Sequence, residues 1–302
     1  MTGSGLMLID KPQGITSHDV VARVRRLAGT RKVGHAGTLD PMATGLLIVG
    51  LNSSTRLLTY VVGAQKEYRA TIRLGASTLT DDAEGEILTR ASPEECERVT
   101  EQEIRAGIAG LTGAILQVPS SVSAIKVNGQ RSYARVRAGE DVVLEARPVT
   151  VSAFDLLGVE RGDAFLDLDV RVECSSGTYI RALARDLGES VSLGGHLVAL
   201  RRTTVGPFDV QHAHPLDSLV VEDAIVPAAE AAATLFRVLE LTPEQAKDLG
   251  NGKRVVVEDS AAEYSPHEPV AAITGSGQLI GLVELRANRA RVLVNFPVDE
   301  RA

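Results

Sequence analysis

The chain has 302 residues, of which 44% are hydrophobic and 24% charged, with a net charge of −7. That length holds one full enzyme core and a smaller appendage, while the absence of long apolar runs and low-complexity tracts argues against membrane-spanning and disordered classes. The acidic total argues against a protein that coats nucleic acid with its whole surface, and leaves room only for a local basic face.

The first dozen residues lack the basic start, apolar stretch and cleavage site of a secretory signal, so a cytoplasmic protein is expected. A short apolar strand at 7–9 stops at the turn-rich Asp10-Lys11-Pro12-Gln13-Gly14. Thr16 or Ser17 then caps a helix reaching about Leu27, with Val20, Val21, Val24 and Leu27 on one face and arginines on another. Glycines and Pro41 predict irregular structure over 33–45, followed by a buried strand over 46–51. A helix is expected over 53–62, a strand over 68–74 and one amphipathic helix over 93–109. The clearest strand is 166–174, where Leu166, Leu168, Val170, Val172 and Cys174 point one way and Asp167, Asp169, Arg171 and Glu173 the other. A helix follows over 178–188, then a second over 196–202. Past an alanine-rich stretch at 228–233 come a short helix at 243–249 and strands at 271–273, 279–285 and 291–296. These elements predict a mixed α/β core with a domain boundary near Thr234.

Cys96 and Cys174 are the only cysteines and have no metal-ligand spacing around them, so two free thiols are expected and no zinc site. Arg23, Arg25, Arg26, Arg31 and Lys32 form a basic stretch, whereas acids gather at Asp81, Asp82, Glu84 and Glu86 and again over 94–103. Such runs are commonly solvated helix faces, and one of them alone indicates little.

Three residues stand out for chemistry. Asp40 sits in Gly34-His35-Ala36-Gly37-Thr38-Leu39-Asp40-Pro41-Met42-Ala43-Thr44-Gly45, a loop whose glycines permit close ligand approach and whose Pro41 stiffens the peptide after the acid. Residue types alone leave two readings, a catalytic carboxylate or the cap of a turn. Arg181 falls in the first turn of a helix, where a cation is disfavoured by about 0.3–1 kcal/mol unless an anion is near. A buried aspartate, a phosphate and Asp186 are all candidates for that anion. Tyr68 alternates with Ala70 and Ile72, which suits core packing as well as a stacking platform for a base.

The segment from Gly34 to Gly45 resembles the catalytic motif of the bacterial tRNA pseudouridine-55 synthases, the TruB family. Asp10-Lys11-Pro12-Gln13-Gly14, Lys66-Glu67-Tyr68, Val118-Pro119-Ser120 with Ala124-Ile125-Lys126, Ser175-Ser176-Gly177-Thr178-Tyr179-Ile180-Arg181 and Leu200-Arg201-Arg202 match further family segments in the expected order. Together they run from Asp10 to Arg202, and the C-terminal part resembles the small β-rich RNA-binding domain called PUA.

The resemblance implies an α/β (α+β) fold: a catalytic domain over 1–233 with a mixed, largely antiparallel sheet and a central RNA-binding cleft, then a PUA-like domain over 234–302. It implies cofactor-free, metal-free isomerisation of a T-loop uridine of tRNA by a monomer that contacts the T-loop and acceptor stem. Asp40, Tyr68 and Arg181 would be catalytic, with Asp40 attacking ribose C1′ or uracil C6 or stabilising a sugar cation. His35, Leu200, Tyr179, Lys11 and Lys126 would bind substrate, Lys11 and Pro12 chiefly by shaping the site. An insertion over 120–147, with Lys126, Arg131, Arg135 and Arg137, would close on RNA and be mobile without it, and the stretch over 23–32 would contact phosphates. Two other readings stand beside this one. A carboxylate glycosidase would pair Asp40 with Asp81 or Glu67, and a tRNA-folding chaperone would use the same groove without chemistry.

Overall fold

The computed structural model describes residues 3–120, 145–257, 268–286 and 288–297, together with the backbone of 126–127 and 130–131. Most of the expected insertion, and with it the expected mobility, lies outside the described residues. No helix among the described residues is long and apolar enough to cross a membrane. Contacts divide the chain into two compact units, one made of Met1–Pro41, Leu46–Val62 and Pro207–Ala302, the other of Met42–Gly45 and Gly63–Gly206.

In the second unit five antiparallel strands run in the order Gly195–Val205, Lys66–Leu74, Leu166–Cys174, Arg147–Arg161 and Gly113–Gln117. The alternation read in 166–174 holds. Leu166, Leu168, Val170, Val172 and Cys174 are buried and stand opposite Leu74, Ile72, Ala70, Tyr68 and Lys66. The other face carries a charge ladder in which Arg73 pairs with Asp167 at 2.6 Å and Arg171 with Glu67 at 2.6 Å. The helix Ile180–Ser190 lies against Gly195–Val205 and Glu101–Gly110, burying Leu183, Ala184 and Leu187. Its approach depends on glycine, because a Cβ on Gly195 would meet the Ala184 carbonyl oxygen at 2.4 Å.

The first unit holds the strand Gly5–Lys11 between His214–Pro215 and Thr44–Leu51, with the hairpin partner Val33–Ala36 on the latter. The helix Ser17–Ala28 packs on these strands through Val20, Val21 and Val24 against Met7, Ile9, Leu47 and Val49. Thr16 starts it with a capping box to Asp19, which is worth about 1 kcal/mol. The same unit contains a five-stranded sheet ordered Val238–Leu241, Val270–Thr274, Leu279–Arg286, Arg289–Asn295 and Val255–Val256. Leu239, Leu249, Val270, Ile280 and Val283 form its core beneath the helix Pro243–Gly250. The helix Ala228–Leu235 leads into it. An α/β catalytic part with a mixed, largely antiparallel sheet is thus followed by a smaller β-rich C-terminal part.

Several expected elements need correction. The second helix expected over 196–202 is the strand Gly195–Val205, paired along its length with Lys66–Leu74. Leu197 stands opposite Ile72 and Leu200 opposite Ala70, because a bulge inserts Val198 between them. Two apolar residues three apart therefore share a sheet face, which imitates helical spacing. The single helix expected over 93–109 is two, Pro93–Arg98 and Glu101–Gly110, because Thr100 forms a second capping box with Glu103. The irregular stretch expected over 33–45 begins as the strand Val33–Ala36, and the helix expected from 178 starts at Ile180.

Candidate active site

The loop after Val33–Ala36 turns at Gly37, whose φ of 81° suits glycine, and buries Leu39, Met42 and Ala43 while Asp40 stays half-buried. Both neighbours of Asp40 are pinned through their backbones. Ser17, in the first turn of its helix, accepts from the Leu39 N–H at 2.9 Å and donates to the Leu39 carbonyl at 3.2 Å. The Pro41 carbonyl accepts from the Gly14 N–H at 2.8 Å and from Lys11 Nζ at 3.4 Å. Lys11 is fully buried and also donates to the carbonyls of Pro12 and Ile15, so it shapes the loop from behind. The His35 ring packs edge-on against His18 with centroids 5.7 Å apart.

Past the loop, Thr44 and Gly45 run parallel to Arg201 and Arg202, and Thr44 Oγ1 donates to the Leu200 carbonyl at 3.4 Å. Gly45 has a φ of 98°, and a Cβ there would meet the Arg202 carbonyl oxygen at 2.3 Å. No other residue type fits that approach. On the buried face of the neighbouring strand, Tyr68 stands opposite Arg202 and Ala70 opposite Leu200, so Tyr68, Leu200 and Arg202 share one face. Lys66 lies on the same face as Tyr68, with Nζ donating to the Ala64 carbonyl at 2.8 Å. Burial, with repulsion from Arg202, pulls its ammonium down to about 8. Burial pushes the nearby Cys174 thiol up to about 11, and both cysteines are free.

Arg181 occupies the first turn of Ile180–Ser190, and its Nη1 donates to Asp82 Oδ2 at 3.2 Å and to the Thr80 carbonyl at 3.1 Å. The side chains of this pair are only 8% and 5% exposed. A buried aspartate thus meets the demand created by a cation at a helix N-terminus. Asp82 is held in turn by the Thr80 hydroxyl and the Glu84 N–H, and its turn docks on Leu197, whose carbonyl accepts from the Ala83 N–H and whose N–H donates to the Asp81 carbonyl. Asp186, the plainer candidate, pairs with Arg185 instead. Tyr179 is the helix N-cap, with its backbone N–H and carbonyl both bound by the Gln117 side chain at 2.8 and 3.1 Å. Lys126 lies in a two-residue strand paired with Gln130–Arg131.

Reading the sequence missed Asp82, Thr80, Gln117, Lys66 and Arg202. Asp82 was hidden in an acid-rich turn with the look of a solvated surface, and only the unmet charge of Arg181 pointed to it. The acids that a glycosidase would enlist are already engaged, Asp81 with Arg185 at 3.1 Å and Glu67 with Arg171. In the basic stretch, Arg23 pairs with Asp217 at 2.7 Å and Arg25 donates to the Val33 carbonyl.

Comparison with known proteins assigns the chain. Residues 25–180 match the family described as TruB family pseudouridylate synthase (N terminal domain), residues 181–241 the tRNA pseudouridylate synthase B C-terminal domain, and residues 236–297 the tRNA Pseudouridine synthase II, C terminal. The chain is 66% identical over 302 residues to a tRNA pseudouridine synthase B of Leifsonia xyli subsp. xyli (strain CTCB07), covering 100% of this chain and 99% of the relative. It is 56% identical to the protein of that name from Arthrobacter sp. (strain FB24), covering 99% and 98%. Among solved structures, an H/ACA RNP bound to a substrate RNA containing 2'-deoxyuridine has the same fold, with a TM-score of 0.70 at 23% identity over 98% of this chain and 86% of that one. A Cbf5-Nop10-Gar1 complex gives 0.69 at 25% identity over 97% and 84%. The pinned acid, the buried arginine and the match along nearly the whole length lead to one statement: the chain belongs to the TruB family of pseudouridylate synthases.

Proposed function

We propose that this enzyme converts the T-loop uridine at position 55 of tRNA to pseudouridine, with Asp40 as its catalytic carboxylate. The observation that carries the reading is that Asp40, the one acid in the recognised motif, has both neighbouring residues pinned by Ser17, Gly14 and Lys11. A group held this way approaches the reacting atoms without first being ordered. The reaction breaks the N1–C1′ bond and joins C1′ to C5 of the same base, C5 losing its proton and N1 gaining one, so atoms balance without a redox partner. Asp40 supplies the electron pair, by attack on ribose C1′ or uracil C6, or stabilises the sugar cation.

Arg181, the arginine of the recognised motif, acts as a second catalytic residue through its planar, multi-donor guanidinium. Tyr68 stacks on the extruded base, worth roughly 1–3 kcal/mol, similar to the few kcal/mol needed to extrude it. Leu200 and Tyr179 line the same pocket, His35 fills the space left by the flipped nucleotide, and Lys126 contacts RNA. The protein works as a cytoplasmic monomer without cofactor, and its β-rich segment over 234–302 acts as a PUA-like module on the acceptor stem. The whole-length likeness to relatives named tRNA pseudouridine synthase B supports the substrate.

Mapping pseudouridine at single sites in an unmodified tRNA transcript tests this, with Asp40→Asn as control. Modification confined to the T-loop uridine and lost in the variant is the expected result. Binding by both proteins without modification by either would put the folding-chaperone reading in its place.

A further inference from the structure

We propose that Gln117 is a positioning residue for Arg181, acting from another element through the backbone of Tyr179. The inference rests on the catalytic reading of Arg181 given above.

The helix Ile180–Ser190 begins without the usual means of fixing a helix end. Its N-cap is Tyr179, no side chain of its own caps it, and its first turn holds no acid. Orphan N–H groups and a misplaced cation, Arg181, therefore meet at the same end. The charge is answered by Asp82, and the peptide of the N-cap residue itself is held by Gln117. This residue ends the strand Gly113–Gln117 and is 1% exposed. Its Oε1 accepts the Tyr179 N–H and its Nε2 donates to the Tyr179 carbonyl, the same carbonyl that accepts from Leu183 in the first helical turn. The orientation of the amide is thereby dictated, since an N–H requires the oxygen and a carbonyl requires the nitrogen.

Two further bonds tie the same short run to the arginine. Ser120, fully buried, donates to the Thr80 carbonyl at 3.2 Å, which is the carbonyl that also accepts from Arg181. The Val118 carbonyl accepts from Arg185 at 2.8 Å, one helical turn past Arg181. Residues 117, 118 and 120 thus fix the start of the helix, the carbonyl behind the guanidinium and the next turn. Capping from outside has a chemical consequence. A serine or aspartate at 179 would cap the helix locally, whereas the clamp leaves that position open to an aromatic side chain. Gln117 itself touches no reacting atom, and its influence runs through where Arg181 is held.

The test is the single-turnover rate of pseudouridine formation on unmodified tRNA transcript, with tRNA affinity and circular dichroism recorded alongside. Gln117→Leu is expected to slow the step by about 10- to 100-fold, the scale of an ångström-level misplacement, with tRNA Kd changed less than about threefold. In an Arg181→Lys background the same substitution should add almost nothing, because the group it positions is already gone. Gln117→Glu adds a readout within one folded protein. Its protonated carboxyl can both donate and accept, so its rate relative to the parent enzyme should recover as pH falls and decline as pH rises.

A slow Arg181→Lys with a normal Gln117→Leu would overturn the positioning role and leave the catalytic reading standing. A fast Arg181→Lys would defeat the catalytic reading itself. Multiplicative losses in the double variant would make Gln117 a general fold residue and end the proposal. If Gln117→Leu does not fold, a pH-independent ratio for Gln117→Glu would do the same.

Discussion

Asp40 and Arg181 are immobilised in opposite ways. Asp40 is placed through the peptides on either side of it, by a serine hydroxyl, an amide and a buried lysine that all act on backbone atoms of Leu39 and Pro41. Arg181 is placed through its own charged head, which meets Asp82 and the Thr80 carbonyl. The contrast follows from what each group has to give. An aspartate side chain is short, so fixing the peptides on both sides of it also fixes where its carboxylate can reach. A guanidinium has five donors in a rigid fork and holds its geometry when one edge is tied down.

Substitutions can break this comparison at graded strengths. Asp40→Asn keeps shape and pinned neighbours while removing the charge; we expect turnover to fall by about 10⁴-fold or more with tRNA binding within about threefold. Retained turnover would show that the pinned loop serves another purpose. Arg181→Lys preserves charge and loses the fork, and a loss of roughly 10²- to 10³-fold in single-turnover rate is expected. A rate near that of the parent enzyme would mean a point charge suffices. Asp82→Ala leaves a buried guanidinium without this partner, and a destabilisation of about 3–5 kcal/mol should appear in denaturant unfolding. An unchanged midpoint would indicate that solvent or another group had taken over.

Smaller effects sharpen the other side. Ser17→Ala removes both bonds to Leu39, with a cost of about 1–3 kcal/mol and a rate loss of around tenfold. A stability loss without any rate loss would separate loop order from catalysis. Lys66→Met tests the cationic end of the tyrosine face through pH. The folded ammonium titrates at about 8 against 10.5 for an ordinary lysine. Between those values the unfolded chain holds a proton that the native protein has released, so native stability rises with pH across that window and falls again as pH drops through it. The melting-temperature advantage of Lys66→Met over the parent should therefore be greatest near pH 7 and shrink by pH 9.5. A constant difference would mean that Lys66 is hydrated in the folded protein.

How much was legible in the sequence depended on whether a signal was local. The helix Ser17–Ala28 announced itself through its cap and apolar stripe, and Leu166–Cys174 through strict alternation. The demand of Arg181 for an anion was likewise local, but its answer was not. Asp82 lies 99 residues earlier, in a turn that only tertiary docking on Leu197 turns inward. Gln117 was invisible for the same reason, since nothing in a strand-ending glutamine shows that it will cap a distant helix. The strand Arg147–Arg161 escaped because two register shifts against Leu166–Cys174 break its alternation. The pinning of Asp40 was half legible: Pro41 predicted a stiff peptide, while the parts played by Ser17 and Gly14 needed the fold.

The extra residue in Gly195–Val205 gives that strand something like a reading frame in space. Val198 sets which way every residue after it faces, and a second shift between Arg202 and Thr204 resets the count. Between these two marks Leu200 and Arg202 face the Tyr68 side. Were Val198 paired regularly with Thr71 instead of bulged, Ala199 would stand opposite Ala70 and Arg201 opposite Tyr68, and Leu200 and Arg202 would turn to the other face. In this strand, the place at which the ladder skips a residue is as much a determinant of the Tyr68 face as the identity of any side chain.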